Sequence, residues 1–206
     1  MKIYVILDHI DAERNLALGR KLEEYTDAFV IGSLPLLKHG IAVVDSMRKE
    51  FPRTSIYVET KIVDRPREMV GLACHNGADW ISVMAGSRKE VIHAATSKAH
   101  DMGKKVLLDL IDTPLAGQAA LEAASLGVDA LLFTYMGQYR DPQECIEAWQ
   151  MIIGNTALPI FFSGVQYRFL VTLLLEIRPS AIILGKVVTE HEHPAQEIQF
   201  FKEALQ

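Results

Sequence analysis

Three charged side chains stand close together at the end of a β-branched, aromatic-containing segment: Glu59, Lys61 and Asp64. Strand side chains alternate between the two faces of a sheet, so Glu59 and Lys61 are expected to point the same way. Asp64 follows within reach of a short loop, and Pro66 suits the first turn of a helix. Carboxylates beside an ammonium favour its charged form, which makes Lys61 a candidate proton donor. The alternative is a solvated ion-pair ladder on an edge strand, because charge patterns of this kind are common.

The elements that must position these charges repeat one pattern, in which a short β-branched run is followed by an amphipathic helix. Strands are predicted at 3–8, 28–32, 55–61, 80–85, 106–111, 130–134, 159–164 and 181–185. Helices are predicted at 12–25, 36–51, 67–76, 89–102, 115–126, 142–153, 167–177 and 194–205. Strict alternation implies parallel pairing through right-handed crossovers. Eight such units predict an α/β fold, a closed (β/α)₈ TIM barrel formed as one domain by residues 1–206.

Functional groups of such barrels lie at the carboxyl ends of the strands. The sequence places acids at the ends of the first, third and fifth strands, at Asp8, Glu59 and Asp109. Small residues and one lysine follow the last two strands, at Ser163, Gly164, Gly185 and Lys186. The end of the seventh and eighth strands is the usual phosphate site of barrels, so these four residues are predicted to bind phosphate. Two ordinary turns are the alternative interpretation of the same residues.

Composition limits the class of partner. The chain has 206 residues, 50% of them hydrophobic and 23% charged, with a net charge of −5, which is typical of a soluble globular protein. The acidic balance and the scattered basic residues give no sign of a nucleic-acid surface, and no apolar run reaches membrane-spanning length. Cys74 and Cys145 lie far apart and fit structural roles in a reducing cytosol, so a cytoplasmic protein is expected.

The spacing of Glu59, Lys61 and Asp64 resembles the Asp-x-Lys-x-x-Asp signature of the orotidine 5′-phosphate decarboxylase superfamily. The nearest branch is that of hexulose-6-phosphate synthase and 3-keto-L-gulonate-6-phosphate decarboxylase, since Asp8 and Asp109 also stand on the matching strands. The resemblance implies a sugar-phosphate lyase, a decarboxylase or an aldolase, that acts on a phosphorylated sugar through an enediolate. Two alternatives stay open: orotidine 5′-phosphate decarboxylase itself, or a divergent barrel that binds a phosphorylated ligand without this chemistry.

The resemblance also implies roles for single residues. Lys61 would stabilise the enediolate and supply a proton, while Asp8 and Asp109 would bind sugar hydroxyls or orient Lys61. Asp64 would reach across the interface of a homodimer. Tyr135 and Arg140 are expected to contact the substrate.

This chain departs from the signature at several positions. The first acid is Glu59 rather than Asp, and Val30 stands where the sugar-phosphate branch has a metal-binding Glu. Tyr135 replaces a His, and Lys186 replaces an Arg, which keeps the charge on phosphate but loses the bidentate fork. The usual Mg²⁺ site would keep only Glu59. We therefore expect either no cofactor or weakly bound Mg²⁺.

Overall fold

The alternating pattern produces the predicted architecture in the computed structural model, which describes residues 1–135 and 142–205. Eight parallel strands close into a barrel in chain order, with the eighth strand paired to the first. The strands are β1 Lys2–Leu7, β2 Ala28–Ile31, β3 Ser55–Ile62, β4 Trp80–Met84, β5 Lys105–Asp109, β6 Ala130–Thr134, β7 Ile160–Val165 and β8 Ala181–Leu184. The predicted TIM barrel is therefore confirmed.

Helices surround the barrel and connect successive strands. They are α1 Ala12–Leu22, α2 Ser33–His39, α3 Ala42–Glu50, α4 Pro66–His75, α5 Lys89–Asp101, α6 Ala116–Ala123, α7 Pro142–Ile153, α8 Val171–Ile177, α9 Lys186–Thr189 and α10 Pro194–Ala204. No helix of the described ranges is long and apolar enough to cross a membrane.

Strand side chains divide into two cores because successive residues face opposite sides of the sheet. Residues facing the helices form the large core, which also contains the buried free thiols Cys74 and Cys145. A smaller cluster fills the barrel interior and includes Tyr4, Val30 and Tyr57. Because this cluster fills the barrel interior, the residues that follow it along each strand line the mouth at the carboxyl ends.

The single helix predicted at 36–51 is wrong. The structure has two helices there, because Gly40 adopts a positive φ of 66° and its N–H bonds to the carbonyl of Leu36. Such a left-handed glycine ends a helix at little steric cost. The break allows α2 to lie at the rim of the mouth beside β3, while α3 packs against the outside of the barrel.

Candidate active site

The four predicted residues Asp8, Glu59, Lys61 and Asp109 converge at one mouth of the barrel. The Lys61 Nζ lies 3.8 Å from the Glu59 Oε2. The charges of Lys61, Asp109 and Asp8 all affect the pKa of Glu59, so the four groups share one electrostatic environment. β3 pairs with β2 on one side and β4 on the other inside the closed barrel, so it is not an edge strand, which disfavours the interpretation as a solvated ion-pair ladder.

Glu59 is held as a largely buried carboxylate. Only 13% of its side chain is exposed, and its Oε2 accepts a hydrogen bond of 3.2 Å from the Ser33 hydroxyl at the start of α2. Burial raises the pKa of Glu59, against the opposing influence of the Lys61 ammonium. Ser33 was not predicted as a site residue, although it follows the end of β2 at the same mouth.

Asp109 is more deeply buried, with 1% of the residue exposed at the end of β5. Its carboxylate accepts the backbone N–H of Ile111 at 3.1 Å. Burial raises the pKa of Asp109 to about 6, although this hydrogen bond and the Lys61 charge both act to lower it. A carboxyl that titrates near neutral pH can accept or release a proton at the site.

Asp8, which follows β1, is held against the segment that joins β2 to α2. Its Oδ1 accepts the backbone N–H of Leu34 at 3.1 Å. A Cβ at position 32 would lie 2.2 Å from the same Oδ1, so Gly32 is needed to admit the carboxylate. Asp8 thereby lies between β1 and the start of α2, facing the mouth.

A tyrosine hydroxyl lies buried beneath the carboxylates. Tyr57 is fully buried in the barrel interior, and its hydroxyl lacks a hydrogen-bond partner among the described residues. Burial raises the pKa of Tyr57 well above its usual value, and the charges of Glu59 and Asp109 raise it further. The nearby Ser82 hydroxyl acts to lower the pKa of Tyr57, but it does not form a hydrogen bond with the Tyr57 hydroxyl. Tyr57 therefore interacts electrostatically with Glu59 and Asp109. Its position in an apolar stretch of the sequence did not predict this interaction.

The predicted phosphate residues line one pocket of about 520 Å³ between the ends of β7 and β8. Its walls include Ser163, Gly164, Gly185 and Lys186. Gly164 has a positive φ of 88°, and a Cβ there would lie 2.0 Å from the carbonyl oxygen of Tyr135, so only glycine fits. The Lys186 side chain is 85% exposed, and its Nζ lies 3.7 Å from the exposed carboxylate of Glu190.

An ion pair between a half-exposed arginine and a buried glutamate connects the segments that follow β7 and β8. Arg168 forms a bidentate pair with Glu197, which is buried near the start of α10. The Arg168 guanidinium also lies 4.3 Å from the centre of the Phe200 ring. These partners are 29 residues apart in the chain, so sequence spacing gave no signal for them.

The remaining predicted residues lie differently. Tyr135 stacks on Phe162, a β7 residue of the large core, with ring centroids 6.3 Å apart, so this face of its ring packs within the protein. Asp64 is exposed and makes no hydrogen bond or ion pair within the described part of the chain. Arg140 lies outside the described residues. Substrate contact by Tyr135 and Arg140, and contact between subunits by Asp64, stay predictions.

The mouth does not fit a divalent metal ion of the kind that the family resemblance implies. Val30 is fully buried in the interior cluster and offers no ligand. Within residues 1–135 and 142–205, no group of three or more His, Cys, Asp or Glu side chains is arranged to hold a metal ion. Of the two positions that the resemblance assigns to the Mg²⁺ site, only Glu59 offers a ligand, and Mg²⁺ keeps its waters tightly.

Replacing Asp109 by asparagine is expected to stabilise the protein at neutral pH. The pKa of Asp109 is about 6 in the folded state against 3.8 ordinarily, so above pH 6 burial of the charge costs roughly 3 kcal/mol. This cost vanishes as pH falls from 6 to 4, because the folded protein takes up the proton first. Urea unfolding of both proteins between pH 4 and 8 should show the stability difference shrinking towards pH 4.

Asp79→Asn is the matched control, because hydrogen bonds from Lys104 and Ile56 and the charge of Arg48 lower the pKa of Asp79 despite its burial. This substitution should destabilise the protein above the unfolded-state pKa, and less so as pH falls through the folded-state value. A stability difference for Asp109→Asn that does not change with pH would contradict the assignment.

The chain is similar over its whole length to proteins of known name. No family model matches the chain. The chain is 28% identical to the 3-hexulose-6-phosphate synthase of Bacillus subtilis, and the alignment covers 100% of this chain and 99% of that protein. It is 22% identical, with the same coverage, to the enzyme of that name from Staphylococcus epidermidis.

Solved structures share the barrel fold over the whole chain. A crystal structure of 3-hexulose-6-phosphate synthase matches with a TM-score of 0.90 and 20% identity over the whole of both chains. KGPDC from Streptococcus mutans matches with a TM-score of 0.87 and 18% identity over 99% of this chain and 96% of that one. Orotidine 5′-monophosphate decarboxylase from Methanocaldococcus jannaschii gives a TM-score of 0.84 and 21% identity over 100% and 98% of the two chains. The full-length similarity to enzymes named 3-hexulose-6-phosphate synthase confirms the predicted resemblance to the hexulose-6-phosphate synthase branch of the orotidine 5′-phosphate decarboxylase superfamily, and the solved structures share its fold.

Proposed function

We propose that the protein is a sugar-phosphate lyase of the hexulose-6-phosphate synthase or 3-keto-L-gulonate-6-phosphate decarboxylase type. One observation carries the proposal: an ammonium, Lys61, lies among buried carboxylates at the same barrel mouth as a pocket suited to phosphate. Full-length relatives named 3-hexulose-6-phosphate synthase support a phosphorylated sugar as the substrate.

Phosphate binding would anchor the substrate at a distance from the reacting carbons. The pocket between β7 and β8 includes Ile6 in its lining, and Ile6 is followed two residues later by Asp8, at the end of the same strand. Binding energy gained at the phosphate can therefore hold the sugar against Asp8, Glu59 and Lys61. Lys186 supplies the positive charge for this anchoring, as a point charge on a flexible stem.

Cleavage of the carbon–carbon bond beside the carbonyl leaves the bonding electron pair on the sugar phosphate as an enediolate. The departing fragment is carbon dioxide in a decarboxylase. In an aldolase it is an aldehyde, which forms as the hydroxyl on the departing carbon of the substrate gives its proton to a carboxylate at the mouth. The Lys61 ammonium stabilises the enediolate oxygen and delivers a proton to carbon. Glu59, Asp8 and Asp109 bind sugar hydroxyls and hold the ammonium in place.

The substrate assay separates the candidate reactions. Purified protein is incubated with ribulose 5-phosphate and formaldehyde, with 3-keto-L-gulonate 6-phosphate, and with orotidine 5′-phosphate, each with Mg²⁺ and with a chelator. Turnover of either sugar phosphate supports the proposal and chooses between aldolase and decarboxylase. Turnover of orotidine 5′-phosphate alone, or tight binding of xylulose 5-phosphate without turnover of any substrate, contradicts it.

The proposal includes a homodimer with a shared site. Apolar side chains are exposed beside the mouth on α2, on α4 and in the segment before α4; Leu37 is 87% exposed, and the others are Leu34, Val63, Met69 and Leu72. A pocket of about 450 Å³ between α2 and α4 has Glu59 and Lys61 in its wall, so the apolar surface continues into the site. Contiguous apolar surface of this kind marks interaction sites. A second copy is the proposed occupant, because the exposed Asp64 next to Val63 could then enter its partner's mouth.

A cytoplasmic location belongs to the same proposal. Its support is that Cys74 and Cys145 are free and buried. Burial raises the pKa of both thiols, to about 11 for Cys145, which suits packing rather than reactivity.

Substituting Val30 by glutamate tests whether the missing carboxylate at this position accounts for weak Mg²⁺ binding. We expect weak Mg²⁺ binding by the unmodified protein, because Val30 leaves Glu59 as the one carboxylate at the two positions of the expected metal site. Val30 faces the barrel interior in register with Tyr57, so a carboxylate there would lie in a buried layer close to Glu59. Val30→Glu should bind Mg²⁺ more tightly and, without metal, unfold at a lower temperature through burial of charge beside a like charge.

Calorimetric titration and thermal unfolding of both proteins, with and without Mg²⁺, measure this effect. Val30→Gln controls for the bulk of the new side chain and should gain no affinity. Tight Mg²⁺ binding by the unmodified protein would contradict the assignment.

A further inference from the structure

A bulge interrupts β3 at the catalytic lysine. Tyr57 pairs with Trp80 and Val58 with Ile81, but the next pair joins Ile62 to Val83. Three residues of β3 therefore face Ser82 alone on β4. Bulges re-aim side chains and are common beside active sites.

Two side-chain hydroxyls replace the strand hydrogen bonds that the bulge removes. The Thr60 hydroxyl donates to the Ser82 carbonyl at 2.8 Å and accepts the Ser82 N–H at 3.1 Å. The Ser82 hydroxyl accepts the Lys61 N–H at 3.0 Å. We call these three hydrogen bonds the Thr60–Ser82 clasp. Ser82 is fully buried, so its groups have little access to water as an alternative partner.

The clasp holds Lys61 in a conformation that lysine rarely adopts. Its φ is 44°, in the left-handed region, and Lys61, Arg65 and Arg178 are the non-glycine residues of the described ranges with positive φ. A strained backbone persists only where surrounding contacts impose it, and such strain is concentrated at functional sites. Neither Thr60 nor Ser82 has a side chain suited to acid–base chemistry at neutral pH, so a role through Lys61 accounts better for their placement.

We infer that Thr60 and Ser82 are positioning residues that lock the backbone of Lys61 and so fix its ammonium against Glu59 at the mouth. The inference rests on the proposed function for its effect on turnover, but the geometry of the clasp can be measured without substrate. If the clasp is lost, Lys61 can relax toward an extended backbone, which turns its side chain away from the 3.8 Å approach to Glu59.

An isosteric pair of substitutions at position 60 tests the inference. Thr60→Val keeps the shape and removes the hydroxyl, while Thr60→Ser keeps the hydroxyl. We expect Thr60→Val to reduce kcat about 10- to 100-fold, the scale for a misplaced catalytic group, with KM little changed. Thr60→Ser should retain most of kcat. Ser82→Ala removes the hydrogen bond of the clasp that the Lys61 N–H donates, and it provides a second, independent test if Thr60→Val does not fold.

Hydrogen exchange of the Lys61 amide gives a readout that a general loss of stability would not reproduce. Exchange at Lys61 should become faster in Thr60→Val and in Ser82→Ala, and stay slow in Thr60→Ser. Thr96→Val is the matched control, because its buried hydroxyl bonds to the carbonyls of Leu126 and His93, away from the mouth. It should lower stability while leaving kcat and Lys61 exchange unchanged.

The outcomes separate the clasp from the proposed function. If the unmodified protein turns over none of the substrates, the proposed function fails, while Lys61 exchange still decides whether the clasp exists. Normal kcat and slow Lys61 exchange in Thr60→Val overturn the inference. So does an equal loss of kcat in Thr60→Val and Thr60→Ser, because the hydroxyl would then be irrelevant.

Discussion

Replacing Lys61 by alanine is expected to reduce kcat by about 10²–10³-fold, the usual scale for one group that stabilises developing charge. KM should change less, because the phosphate pocket that anchors the substrate lies between β7 and β8. The loss arises because the Lys61 ammonium would interact with charge that develops only as the enediolate forms. Steady-state kinetics on the substrate identified by the assay measure it, with a folded state confirmed by circular dichroism.

The charges around Lys61 supply a second signature of the same substitution. The Lys61 ammonium acts to lower the pKa of both Glu59 and Asp109. Its removal should raise both pKa values further, which carboxyl NMR titration can follow. Lys49→Ala is the control, since Lys49 is exposed and pairs with Asp45 within α3. Near-normal kcat for Lys61→Ala would show that another group stabilises the charge.

The barrel was predictable because its determinants are local. β-branched runs, amphipathic helices and terminal glycines recur in each unit, and the barrel rule then places Asp8, Glu59 and Asp109 at one mouth. The same rule brought Ser163 and Lys186 to one pocket. Such predictions need only the order of the elements and the end of each strand, both of which the sequence displays directly.

The finer features depend on contacts between residues far apart in the chain. Thr60 is 22 residues from Ser82, and Arg168 is 29 residues from Glu197. A hydroxyl on an apolar strand gives no sign that it will close a bulge on the neighbouring strand. The raised pKa of Asp109 likewise comes from burial, which is set by the packed barrel. The break at Gly40 was missed because the helical pattern continues on both sides of it.

Mixing two inactive variants is expected to restore activity if the site is shared between subunits. Lys61→Ala and Asp64→Ala should each be inactive alone, because each damages every site of its own homodimer. In a mixed dimer, one site contains both substitutions, while the other keeps Lys61 from one subunit and Asp64 from its partner. With equal amounts and free exchange, half of the dimers are mixed, so about a quarter of the unmodified activity should return.

Subunit exchange must be verified for this result to be decisive. A tag on one variant shows by affinity capture that mixed dimers have formed, and sedimentation establishes the oligomeric state. Leu37→Glu is the companion substitution, because a charge on the 87% exposed Leu37 should split a dimer that buries this surface. It leaves Lys61 and Asp64 in place, so loss of activity together with dissociation would link the site to the interface. A monomer in the unmodified protein, or no rescue after proven exchange, would show that each barrel completes its own site and that the exposed Asp64 has another role.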